Sequence, residues 1–196
     1  MPVKDTGTEQ LIKKTAKQIF FTEGKLHATT QDIADAAGVN RAALHYYFRS
    51  RDQLVATVFR ESMQALSTRL GVVMESTKTF RTKVEELIDV YMEDMATYPY
   101  QETFMITEIN TVGQQLIADI DVKPTDKFLT EIKKEMDRGT IDQMDPAHFL
   151  MNLFSLLSYP LIMSPIYRQL FRHRNKNFDE LIAERKAVIC RMIFSS

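Results

Sequence analysis

An all-α fold is predicted by three features of the sequence. Apolar residues recur at helical spacing in one segment after another, and no window sustains period-two alternation. Only six glycines and six prolines punctuate the 196 residues, at helical distances. No internal repeat is visible.

The elements follow in order. Thr6-Gly7-Thr8-Glu9 reads as a capping box, after which Leu11, Ile12, Ala16, Ile19 and Phe20 share a face until Gly24 stops the helix. Thr29-Thr30-Gln31-Asp32 starts a short second helix, with Thr30 at its cap and Ile33, Ala34 and Ala37 inward. Gly38 ends it, and a third short helix is expected from about Asn40 to Phe48. Ser50-Arg51-Asp52-Gln53 is another capping box, opening a long helix with Leu54, Val58, Leu66 and Leu70 inward. Beyond Thr79, the stripe Val84, Leu87, Ile88, Tyr91 and Met95 runs out before Pro99. A less regular segment covers Gln101 to Asp119, and another helix runs from about Pro124 to Arg138, ending at Gly139. Asp145-Pro146 is an N-cap with proline at the first helical position, opening a helix over 145–163. Asn177-Phe178-Asp179-Glu180 opens a last helix over 177–194, where Leu181, Ile182, Val188, Ile189, Met192 and Ile193 recur.

Composition narrows the class. Hydrophobic residues at 44% and charged residues at 26% describe a folded chain. The formal net charge is −1, but residues 1–60 carry 9 basic and 6 acidic side chains, net +3, and residues 61–196 carry 16 and 20, net −4. A positive head on a negative body points to different partners for the two parts. A single cysteine, Cys190, excludes an internal disulfide and a multi-thiolate metal site and fits a reducing cytoplasm. Lys13, Lys14 and Lys17 interrupt any signal-peptide core. Pro146 to Tyr167 lacks Asp, Glu, Lys and Arg, but Asn152, Ser155, Ser158, Ser164, Pro160 and Pro165 favour a buried, broken helix over a membrane span. An enzyme is not expected: no glycine pair cradles a phosphate and no Gly-x-Ser-x-Gly elbow occurs. Asp119 and Asp121 hint at a cation loop, but Pro124 stands where such a loop needs glycine. No catalytic residue, cofactor or metal is expected.

The chemistry concentrates in residues 29–54, TTQDIADAAGVNRAALHYYFRSRDQL. Two short helices pivoting on Gly38 form a helix-turn-helix, with Ala34 small enough for a close crossing and Ile33, Val39, Leu44 and Phe48 between them. Asn40 opens the second of these. Exposed beyond it are Arg41, Ala42 and Ala43, then His45, Tyr46 and Tyr47. Small residues let a backbone enter the DNA major groove, and an arginine beside them bonds guanine at two places. Hydroxyl, imidazole and guanidinium groups flank the helix where phosphates lie.

This segment resembles the N-terminal domain of the tetracycline-repressor (TetR) family of bacterial transcription regulators. The resemblance rests on Thr30, Ile33-Ala34, Ala37-Gly38-Val39, Leu44-His45-Tyr46-Tyr47-Phe48 and Arg51, with Ala16, Phe20 and Gly24 in the first helix, and is specific over about residues 9–60. It implies that Thr30 contacts phosphate, that Gln31 sometimes reaches a base, that Arg41, Ala42 and Ala43 read bases, and that Arg51 binds phosphate. His45 stands where the family usually has tyrosine, and Tyr47 where it has histidine, so which of them reaches DNA stays open. One of Tyr46 and Tyr47 is as readily a core residue, while Lys13, Lys14 and Lys17 read as a solvated face.

The expected organisation is a helix-turn-helix domain over 1–49 and a helical ligand-binding and dimerisation domain over 50–196. Ten of the eleven methionines lie in the second. Phe59, Met63, Tyr91, Met95, Phe104, Met105, Met151 and Phe154 are the candidate ligand-binding residues; plain core is the competing account. Polar Asn152, His148 and Glu108 among them are candidate anchors. The helix over 145–163 is apolar nearly all round, so Leu150, Leu153, Leu157 and Leu161, with Val188, Ile189 and Met192 of the last helix, are the dimerisation candidates. The resemblance implies a homodimer whose last two helices form a four-helix bundle. The expected partners are double-stranded DNA with a palindromic operator, a small-molecule effector and a second copy, with no membrane. A dimeric DNA-binding or adaptor protein without a working pocket is the alternative.

Overall fold

The computed structural model describes residues 6–112 and 121–194. Among these every regular element is helical, as predicted. The residues pack into two units, whose described parts lie within Met1–Ala65 with Met95–Ile120 and within Leu66–Asp94 with Asp121–Ser196.

In the first unit, α1 (Thr6–Lys17) widens into a π-helical turn, Gln18–Thr22, closed by Glu23 N–H donating to Gln18 O at 3.0 Å. Three successive residues of this turn, Ile19, Phe20 and Phe21, are buried. Gly24 then takes φ +70° and ends the helix. α2 (Thr30–Ala37) and α3 (Arg41–Tyr47) follow, then α4 (Arg51–Met74), whose first turns bury Leu54, Val55, Val58 and Phe59. Ser50 Oγ accepts from Gln53 N–H at 3.1 Å, while the Gln53 side chain returns to Arg49 N–H at 2.9 Å rather than to Ser50. α6 (Gln101–Val112) belongs here because Phe104 enters this core, its ring centroid 5.1 Å from both Phe20 and Phe21. Burying one such ring stabilises by about 1.5–3 kcal/mol. Packing therefore does not divide at the 49/50 boundary expected from the sequence: α4 gives its first turns and α6 its aromatic side to the N-terminal core. The expected helical residues after Val112 lie outside the described residues up to 120.

The second unit holds the end of α4, most of α5 (Phe80–Thr97), α7 (Lys123–Asp137), α8 (Pro146–Ile162), α9 (Ser164–Leu170), α10 (Phe178–Ala183) and α11 (Arg185–Ile193). Phe80 centres an aromatic cluster, 5.8 Å from Phe128 and from Phe149. Gly71 lets α4 approach α7, since a Cβ there would meet Pro124 at 3.2 Å. The buried Lys83 ammonium donates to Met74 O at 3.1 Å and to Glu131 at 2.6 Å, tying α4, α5 and α7. Asp145 caps α8 by accepting from Ala147 N–H, as its sequence predicts.

The uncharged stretch is broken, as its sequence predicts: α9 follows α8 after a 70° bend. One expectation needs correction, since the last helix is two, interrupted at Glu184. Pro160 also sits inside α8. It has no N–H, so the Leu156 carbonyl one turn earlier loses its helical donor. Arg185 Nε supplies one instead, at 3.1 Å. No single helix among the described residues is long and apolar enough to cross a membrane.

Candidate nucleic-acid interface

The first unit positions α3 through a chain of caps. Thr29, not Thr30, is the N-cap of α2: its Oγ1 accepts from Asp32 N–H at 3.2 Å, and Asp32 accepts from Thr29 N–H at 2.7 Å. Thr30 is the first helical residue. The Thr29 N–H and hydroxyl, each donating to the Asp32 carboxylate at 2.7 Å, hold that carboxyl below its ordinary pKa. At the other end Gly38 takes φ +66°, and its N–H reaches Ala34 O and Asp35 O. Nothing lies within 4 Å of a Cβ placed there, so backbone conformation rather than space requires the glycine. Asn40 then caps α3, its Oδ1 accepting from Ala43 N–H at 2.7 Å.

Leu44 anchors α3 in the core, and this orients the rest of the helix. Arg41, Ala42, His45 and Tyr46 are exposed and Ala43 is half-buried. Tyr46 is 62% exposed, whereas Tyr47 packs against the core with its ring 5.1 Å from that of Tyr46. Of the two departures from the family pattern, His45 is thus the more available. Gln31 lies exposed on α2, its amide donating to Asp35 at 2.6 Å.

Arg51 differs from its expected setting. Its Nε donates to Ala28 O at 2.9 Å, one terminal nitrogen donates to Leu26 O, and the guanidinium lies 5.3 Å over the Phe20 ring. It fastens the loop before α2 to the start of α4, a role that sequence reading missed. The three lysines of α1 are not one solvated face either. Lys13 is only 8% exposed and pairs with Glu61 at 2.6 Å, and Lys17 sits 3.8 Å over the Tyr98 ring. Lys14 is exposed as expected.

The candidate ligand residues divide between the two units. Phe59 and Phe104, with Met63 and Met105 against them, build the N-terminal core. Tyr91 packs on Phe154 at 5.5 Å in the second unit, Met95 is buried within the first, and Met151 is exposed on α8. The second unit instead contains a cavity of about 530 Å³ between α8 and α11, lined by Asn152, Leu156, Tyr159, Arg185 and Met192 among others. Of the dimerisation candidates, Leu153, Leu157 and Ile189 point into their own unit. Leu150, Leu161 and Val188 are half-buried and Met192 is exposed. Among the described residues, no three His, Cys, Asp or Glu side chains converge as a metal site would.

A capped short helix, a glycine in the left-handed region, and a second helix anchored by one leucine with a basic and polar face outward define a helix-turn-helix protein. Residues 12–58 match the family model described as bacterial regulatory proteins, tetR family. It is 26% identical over 91 residues to the transcriptional repressor KstR2 of Mycolicibacterium smegmatis, covering 46% of this chain and 43% of that one. It is 33% identical over 75 residues to the transcriptional regulator BetI of Rhizobium meliloti, covering 38% and 37%. The chain thus spans less than half the length of these curated relatives. The fold likeness extends further: the TetR-family regulator PfmR of Thermus thermophilus superposes with a TM-score of 0.66 at 16% identity, over 92% of this chain and 97% of that one.

Proposed function

We propose that the chain is a homodimeric, ligand-responsive DNA-binding transcription regulator, a repressor released from a palindromic operator by a small molecule. The observation that carries this reading is the outward face of α3, where Arg41, Ala42, His45 and Tyr46 stand exposed behind the buried Leu44. Arg41 at the first helical position has the reach and the paired donors for a guanine edge, and Ala42 leaves room for the backbone beside it. His45 and Tyr46 supply donors for the flanking phosphates, and Asn40 and Thr30 lie at the helix starts where backbone N–H groups also meet phosphate. The repressor sense follows the printed name of the Mycolicibacterium relative.

Two copies would present two α3 helices to half-sites about 34–36 Å apart, hence the palindrome. The exposed apolar side chains of α8 and α11, Met151 and Met192, supply the self-complementary surface. α4 is continuous through residues of both units, so an effector favouring one placement of its later turns would bias α3. Such a coupling is typically about 1–3 kcal/mol and acts through differential affinity for two states.

The test is selection of bound duplexes from a random pool by the purified, effector-free chain. Recovery of one inverted repeat is expected, with Arg41→Ala losing about 1–3 kcal/mol and relaxing choice at a single position. Recovery of no sequence above background would overturn the operator reading.

A further inference from the structure

We infer that the groove between α1 and α4 binds a phosphate dianion, either free or as the monoester of a small molecule. Gln10, Lys13, Lys14 and Lys17, which share one stripe of α1, line one wall, and Glu61 and Ser62 of α4 line the other. The groove measures about 280 Å³, below the usual range for drug-sized ligands and enough for a compact anion. It lies wholly within the first unit. Three ammonium groups stand against one carboxylate there, net +2. Lys13 is only 8% exposed, and Glu61 takes one of its three donors at 2.6 Å. Lys17 is half-buried, its ammonium held 3.8 Å over the Tyr98 ring. Among the described residues no acid pairs with Lys14 or Lys17.

The fold itself does not call for this charge. Lysines at a helix C-terminus offset its macrodipole, but α1 runs on through the π-helical turn to Thr22, so these three lie within the helix. Lys13 and Lys17, four residues apart on it, repel each other. Burial of Lys13 strengthens its field in the groove, because less water screens it. A bound dianion neutralises the surplus. Lysine suits phosphate in particular: its ammonium acts as a point charge on tetrahedral oxygens, and the groove has no arginine fork of the kind that matches a planar carboxylate. The Gln10 amide and the Ser62 hydroxyl add neutral donors, one from each helix. An anion held this way ties α1 to α4 inside the unit that carries α3.

The experiment is titration calorimetry of the full chain, without DNA, with inorganic phosphate and with glycerol phosphate. Ionic strength is held constant with chloride, at about pH 8, where the ester is a dianion. One saturable site per chain is expected. Lys14 is exposed, so Lys14→Gln should fold normally and weaken phosphate about ten- to hundredfold, the range for a hydrogen bond to a charged group. Glu61→Gln removes the one acid and should tighten binding about tenfold, a gain that damaged folding cannot produce. Tighter binding of the ester than of free phosphate supports a phosphomonoester as the occupant, and equal or weaker binding supports free phosphate. Heat that does not saturate, or an affinity unchanged in either variant, means an adventitious ion only and overturns the proposal. So does a loss of random-duplex binding in Lys14→Gln with phosphate affinity unchanged, since the groove would then be a DNA contact.

Discussion

Gly24 and Gly38 hold nearly the same backbone angle, φ +70° and +66°, in different surroundings. An alanine at Gly38 meets open space, so Gly38→Ala should lose only the left-handed penalty, about 1–2 kcal/mol. At Gly24 an added Cβ would lie 2.9 Å from the Tyr100 ring, so Gly24→Ala should lose more, and Tyr100→Ala in the same chain should remove the excess. Thermal unfolding of these three variants and of Tyr100→Ala alone measures this; equal losses at the two glycines would contradict it. Arg51 also acts first on stability. Removing its bonds to the Ala28 and Leu26 carbonyls should make Arg51→Ala lose about 1.5–3 kcal/mol. A salt slope of DNA binding reduced by about one unit, with unchanged stability, would instead make it the phosphate contact that the family pattern implies. The Asp32 box has a pH signature. Its folded pKa lies below the ordinary carboxylate value, so its stabilisation of α2 is present above that value and is lost as pH falls through the folded pKa. Asp32→Asn should abolish that acid-side component of the melting profile. Thr29 and Thr30 illustrate how far single residues can be read from sequence: two adjacent threonines both suit an N-cap, and only backbone direction decides between them.

At the scale of elements, α8 couples a sequence defect to a tertiary repair. Proline inside the helix was visible in the sequence, as a break. That Arg185 would supply a donor to the Leu156 carbonyl, 29 residues earlier, was not, because the pairing depends on how α11 crosses α8. A double-mutant cycle isolates it. Arg185→Ala should lose about 1–3 kcal/mol where the carbonyl is left unpaired, and less when Pro160→Ala restores the helical N–H. Additive losses would sever the link between the two residues. Helix starts were legible at Asn40, Asp145 and Asn177, where a single capping side chain uses only local bonds. The helix-turn-helix was legible for the same reason. The break at Glu184 carries no proline or glycine and so left no local mark, whereas Pro165 marks the start of α9. The ligand residues were least legible: Phe59 and Phe104 have the periodicity of any buried residue, and periodicity does not say which core receives them.

At the scale of the whole molecule, charge and apolar surface are separately placed. The first sixty residues, net +3, contain the α3 face, while the remainder is net −4 and presents exposed methionines on α8 and α11. A negative C-terminal body disfavours DNA there, so in the proposed function operator affinity comes from α3 and is multiplied by a second copy. Met151 tests that multiplication. It is 54% exposed, so Met151→Glu should change the stability of the single chain by no more than about 0.5 kcal/mol. Across a two-fold axis, however, each dimer would bury two new carboxylates near the contact, which are costly when unpaired. Sedimentation should therefore show dimers of the unaltered chain and monomers of Met151→Glu at the same concentration. Affinity for the inverted repeat should fall about 10²–10⁴-fold, to that for a single half-site, because the second contact is no longer intramolecular. Affinity for an isolated half-site should stay the same, since α3 is untouched. A Met151→Glu chain that remains dimeric and keeps full operator affinity would place the two-fold contact away from this face of α8.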